Sequence, residues 1–133
     1  MKTIHASGKR KRAIARATLK EGKGRLYVNN QELSSFGSQM ARQKIQEPLL
    51  LSGDIARKVD IHVRVSGGGV AGQSDAARLA VSKALVEYTK DKKLRQDFLQ
   101  YDRRMLVADV RRKEPKKPNR HSKARAKVQK SYR

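Results

Sequence analysis

The feature that most constrains this chain is where its positive charge lies. Thirty-three Lys and Arg face 12 Asp and Glu, a net charge of +21 on 133 residues. Residues 1–25 hold nine cations and one acid, and residues 111–133 hold 11 cations and one acid. The 85 residues between them hold 13 cations and ten acids, the balance of an ordinary folded surface. A domain carrying this excess repels itself unless a polyanion supplies counter-charge. One cationic cluster alone reads as a solvated face or a flexible tail. Two clusters flanking a neutral middle point to a phosphate polymer as partner. The expected organisation is a globular domain over 1–110 with a basic N-terminal hairpin, followed by a basic tail over 111–133.

Composition then excludes several classes. With no Cys there are no disulfides, thiol nucleophiles or Cys-based zinc sites, which fits a reducing compartment. No apolar run approaches the roughly 18 residues of a membrane span. The longest notable one is Pro48-Leu49-Leu50-Leu51, and Met1-Lys2-Thr3-Ile4-His5 does not open a signal peptide. The expected location is the cytoplasm, with no membrane partner.

Period-two alternation marks the strands. Ala13, Ala15, Ala17 and Leu19 alternate with mostly polar residues, then Glu21-Gly22-Lys23-Gly24 signals a turn before Arg25-Leu26-Tyr27-Val28 and Asn29-Asn30. This predicts a hairpin over residues 8–30, with Arg12, Arg16 and Lys20 on one face. Thr3 to Ala6 adds a further short strand. Val59, Ile61, Val63 and Val65 alternate with Asp60, His62, Arg64 and Ser66, predicting a strand over 59–66.

Helical spacing appears three times. Ala41, Ile45 and Leu49 share a face, but Pro48 removes a donor and clashes one turn back. That helix is expected to kink or end near Gln46, with Gly53 and Asp54 as its exit. A longer helix runs from about Ala71 to Thr89, with Ala77, Ala80, Val81, Ala84, Leu85 and Tyr88 apolar and Asp75, Arg78 and Ser82 opposite. A last helix, roughly 91–101, places Leu94, Phe98 and Tyr101 on one face.

Gly67-Gly68-Gly69-Val70-Ala71-Gly72 satisfies the G-x-G-x-x-G pattern between a strand and a helix. The downstream residues argue against dinucleotide binding, because Glu87 and Asp91 lie on or between helices rather than ending a second strand. A P-loop fails as well, since the glycines are not succeeded by Gly-Lys-Ser/Thr. Two compatible readings remain. One is a tight turn needing positive φ; the other is a bare backbone that lets phosphate reach a helix N-terminus. His5, His62 and His121 fall in three separate segments, and no paired carboxylates, nucleophile triad or metal-ligand spacing stands out. The chain is expected to be no enzyme, with no cofactor, metal or small-molecule substrate.

From Arg111 the cations recur every two or three residues, and Pro115 and Pro118 favour extension. The apolar content of this tail is too low to offset conformational entropy, so order is expected only against a partner. Stretched out, it spans roughly 75 Å at about 3.3 Å per residue. Such a strand suits threading between RNA helices, pairing with phosphates without reading bases.

Three motifs together resemble a known family. Gly8-Lys9-Arg10-Lys11-Arg12-Ala13-Ile14-Ala15-Arg16 is similar to its opening. Gly67-Gly68-Gly69 with Gly72-Gln73, running into Ala76 and Arg78, is similar to its central signature. Asp109, Arg111, Arg112, Glu114, Lys116 and Lys117, with the ending Gln129-Lys130-Ser131-Tyr132-Arg133, resemble its C-terminal extension. The family is the ninth small-subunit ribosomal protein, and the resemblance spans nearly the whole chain.

The resemblance implies an α+β fold, a single compact domain with a mixed sheet packed on helices, and a long extended basic C-terminal tail. It also implies a left-handed βαβ crossover, an exception to the usual hand. The domain would sit on the head of the small ribosomal subunit, among neighbouring ribosomal proteins. Lys9, Arg10, Lys11, Arg12, Arg16, Gly67, Gly68, Gly69, Gly72, Gln73 and Arg78 would face ribosomal RNA. Arg111, Arg112, Lys116, Lys117, Arg120, Lys123, Arg125 and Lys127 would run through it. Lys130, Tyr132 and Arg133 would approach the anticodon stem-loop of peptidyl-site tRNA. Bacterial members usually end Ser-Lys-Arg, so Tyr132 replaces a cation and would stack or hydrogen-bond in its place. Glu114-Pro115-Lys116-Lys117-Pro118 resembles archaeal and eukaryotic members. A chromatin-type DNA-compacting protein shares the charge argument, but the chain has neither a helix-turn-helix pattern nor a repeated basic motif.

Overall fold

Alternating small and branched residues build the layer that organises the molecule. A computed structural model describes residues 3–108, so the basic tail expected from Arg111 lies outside the described residues. Five strands, β1 (Ile4–Arg10), β2 (Ala13–Glu21), β3 (Leu26–Val28), β4 (Gln31–Glu32) and β5 (Val59–Ser66), form one sheet in the order β1-β2-β5-β3-β4. The sheet is mixed: β3 and β5 run parallel and every other neighbouring pair antiparallel. Helices α1 (Gln39–Ser52), α2 (Val70–Thr89) and α3 (Lys92–Tyr101) complete the α+β domain. The connection from β3 to β5 passes through α1, as parallel neighbours require a crossover.

The strand expected over 59–66 forms with the expected alternation, its four branched residues buried. The expected hairpin between the 12–20 and 25–28 segments does not form. Instead β2 pairs with β1 across Lys11-Arg12, and β5 inserts between β2 and β3. The glycine turn is knit to β5 rather than closed on β2. Gly22 and Gly24 donate their N–H groups to the Lys58 and Val59 carbonyls at 2.8 and 3.0 Å. Asp60 accepts from the Lys23 and Arg25 amides at 3.0 Å each. A strand with an unbroken branched face gains most in the centre, where both edges are paired. Asn29 and Asn30, both at positive φ, close the β3–β4 turn.

Helix α2 packs over β1 and β2 through small residues on both sides. Gly8, Ala13, Ala15 and Ala17 from the strands meet a helix whose Ala76, Ala77, Ala80 and Ala84 are fully buried. A Cβ on Gly8 would lie 2.8 Å from the Ala80 nitrogen. The face of α2 expected to be polar is also buried, because α1 and α3 cover it: Arg78 is 8% exposed and Ser82 0%. The Ser74 and Ser82 hydroxyls donate to the Ala71 and Arg78 carbonyls at 2.7 Å, which removes the cost of an unpaired buried hydroxyl.

Two further expectations are corrected. Of the two outcomes expected for α1, a kink or an end near Gln46, the end is excluded: the helix continues through Pro48 to Ser52. Pro48 is itself fully buried beside Ile45, so packing offsets the hydrogen bond lost at the Lys44 carbonyl. Tyr101 is 55% exposed, while Leu94 and Phe98 are buried as expected. The last residue of α3 turns outward, and Met105, on the 3-10 turn Arg103–Met105, is buried instead.

Candidate nucleic-acid interface

Folding joins two motifs that are some 55 residues apart. The β1–β2 turn carries Lys11, in the left-handed region at φ 54°, and Arg12, both exposed. Directly against it lies the glycine loop that leads from β5 into α2. A Cβ on Gly67 would lie 2.5 Å from the Arg12 carbonyl oxygen, and one on Gly68 3.1 Å from the Ala13 nitrogen. Both residues also have positive φ, 78° and 62°. Their lack of side chains is thus explained inside the domain.

Gly69 and Gly72 have no such explanation. Gly69 has a φ of −102°, and a Cβ there meets nothing within 4 Å. A Cβ on Gly72 would make ordinary contacts, 3.6 Å to the Arg10 carbonyl and 3.7 Å to the Ala13 Cβ. Gly72 lies in the first turn of α2, where glycine weakens a helix by about 0.5–1 kcal/mol relative to Ala. The helix start has no side-chain cap. The first intrahelical bond runs from the Gln73 amide to the Gly69 carbonyl, so the amides of Val70, Ala71 and Gly72 receive no partner from the helix ladder. The Gln73 side chain donates back to the Gly67 carbonyl at 3.0 Å, bracing the loop.

The remaining expected residues divide. Lys9 is exposed on β1, and Arg16 is exposed on the opposite face of the sheet from α2. Arg10 is half-buried and reaches Asp75 at 3.7 Å, which Lys44 also approaches at 3.3 Å. Arg78 is turned inward, with its guanidinium 2.5 Å from Glu47 and 2.9 Å from Asp102. Burial acts to raise the Asp102 carboxyl, but the Arg104 amide and Arg78 together hold it below its usual range. Arg78 therefore ties α1, α2 and the segment after α3 together. Arg111, Arg112, Lys116, Lys117, Arg120, Lys123, Arg125, Lys127, Lys130, Tyr132 and Arg133 lie outside the described residues.

Register on the open sheet face brings together residues far apart in the chain. Arg16 lies opposite Ser7 on one side and Arg64 on the other. In the next row, Thr18 lies between His5 and His62, and His62 lies beside Tyr27. The sequence pattern alone does not bring Lys20 and Arg64 onto one surface; it shows their alternation but not which strands become neighbours. Among the described residues no cluster of His, Asp and Glu is placed to hold a metal ion, and no helix is long and apolar enough to cross a membrane.

Comparison with known proteins bears directly on this arrangement. The model of the family described as ribosomal protein S9/S16 matches residues 8–133. Small ribosomal subunit protein uS9 of Methanococcus maripaludis, from strains C7 and C5, is 47% identical over 134 aligned positions that cover the whole of both chains.

Proposed function

Because the chain belongs to the ribosomal protein S9/S16 family, we propose that its globular domain docks on small-subunit ribosomal RNA through the basic turn and the glycine loop. Members of this family are structural, non-enzymatic constituents of the small ribosomal subunit, ribosome-bound in the cytoplasm. Lys11 and Arg12 supply charge beside a bare helix start whose amides suit a phosphate oxygen. Arg10, Gly67, Gly68 and Gln73 hold that surface in shape, and Arg78 holds the helices behind it. The observation that carries this reading is the pair Gly69 and Gly72, glycines that the fold itself does not need and that lie beside a cationic turn.

The domain of residues 1–110 seats the chain in the subunit head, among neighbouring ribosomal proteins, and residues 111–133 thread through the RNA. Arg111, Arg112, Lys116, Lys117, Arg120, Lys123, Arg125 and Lys127 pair with backbone phosphates along the way. Lys130, Tyr132 and Arg133 approach the anticodon stem-loop of peptidyl-site tRNA. Sucrose-gradient fractionation of native extract at moderate and high salt tests the first step. Co-sedimentation with small subunits through a high-salt wash is expected, and recovery in the soluble or DNA-bound fraction refutes it. Deleting Arg133 should leave assembly intact and weaken tRNA retention in the peptidyl site; normal retention rules out the assignment of the tip.

A further inference from the structure

The face of the sheet turned away from α2 carries a charge arrangement the free domain does not explain. Arg16 and Arg64 are directly cross-strand neighbours, and both are exposed. Like charges so placed repel and weaken a sheet. Neither has an acidic partner among the described residues. Asp60, on the same face, is already bound to the Lys23 and Arg25 amides. An anion shared between the two guanidiniums would turn this repulsion into attraction.

One row along, the short Thr18 side chain forms the floor of a concavity. His5 on β1 and His62 on β5 wall it, two strand spacings (about 9.5 Å) apart. Arg16, Arg64, Lys20 and Asn30 are among its other lining residues. The His62 ring is backed on β3 by Tyr27, with ring centroids 5.0 Å apart and planes at 16°. His5 is held toward the floor by Thr18 Oγ1, 3.3 Å from its Nδ1. A fixed aromatic plane beside paired cations is the combination that takes one unstacked nucleotide, its base against a ring and its phosphate on arginine.

We infer that the open sheet face is a second RNA site, in which Arg16 and Arg64 share one backbone phosphate and the His62–Tyr27 stack takes an extruded base. The occupant is RNA rather than a neighbouring protein, because Lys9, Arg16, Lys20 and Arg64 outnumber the two acids this sheet face carries, Asp60 on β5 and Glu32 opposite Tyr27 on β4. This inference rests on the ribosomal RNA-binding reading above, and adds a surface separate from the basic turn and the glycine loop.

The test measures binding of the full chain to purified small-subunit ribosomal RNA across a salt series, with thermal unfolding alongside. Arg64→Gln is expected to melt at or above the wild-type temperature, because a repulsion is removed. Its RNA affinity should fall about tenfold, and its log–log salt slope should become shallower by about one. His62→Ala removes no phosphate contact, so its affinity should fall about five- to tenfold with the slope unchanged. Wild-type affinity and slope in both variants overturn the inference while leaving the proposed function standing. Failure of the wild type itself to bind this RNA overturns the proposed function.

Discussion

Three residues separate what the fold needs from what a partner needs. Gly8 is required internally, so Gly8→Ala should cost about 1–3 kcal/mol through overpacking against α2, read from urea midpoints. Gly72 is the opposite case. Gly72→Ala should raise stability by about 0.5–1 kcal/mol, because its Cβ finds room in a helical turn. The same substitution should weaken binding to small-subunit ribosomal RNA, and unchanged binding would falsify the glycine loop as a docking surface. Asp60 carries the pH dependence at this scale. The Arg25 and Lys23 amides, in that order, hold its carboxyl below the ordinary value of 3.8. A depressed folded value means that its stabilisation is complete above that value and is lost as pH falls through the folded one. Acid titration followed by amide NMR should therefore loosen Lys23 and Arg25 below about pH 4, and Asp60→Asn should abolish that response.

Among the elements, the three helices depend on one buried cation. Arg78 lies between Glu47 of α1 and Asp102 after α3, with its side chain 10% exposed against 28% and 39% for the carboxylates. Removing one partner of a buried pair leaves the others uncompensated. Because both carboxylates are partly solvated, Arg78→Ala should cost about 3 kcal/mol rather than more. Denaturant unfolding checks this; a loss below about 0.5 kcal/mol, the size of an ordinary surface substitution, would show that the helices do not need the tie. The chain's own pattern made β5 and α2 legible almost to the residue, because each is long and strongly periodic. It misled about β2, whose neighbours are chosen by β5, some 40 residues downstream. It also placed Arg78 outward, since the spacing of an amphipathic helix shows one apolar stripe and cannot show that a second layer of helices covers the other side.

At the scale of the whole molecule, charge sets the behaviour. Of the net charge of +21, +10 lies in residues 111–133. If about eight of their 11 cations meet phosphates, the tail alone contributes a slope near −6 to log affinity against log salt, at roughly 0.7–0.9 per contact. Truncation after residue 110 should flatten the measured slope by about that amount. A slope shallower than about −2 in the intact chain, unchanged by truncation, would end the threading proposal. Charge distribution by itself pointed to a polyanionic partner, and motif order determined the family, with the α+β fold implied by that resemblance, because charge count and local motifs are written residue by residue. Only the tertiary structure decided that Lys11 and Arg12 meet the glycine loop, that Arg78 serves the interior, and that Arg16 stands opposite Arg64. Those outcomes depend on strand order and register, which are set by pairing between distant segments competing for the same core, and no local pattern encodes that competition.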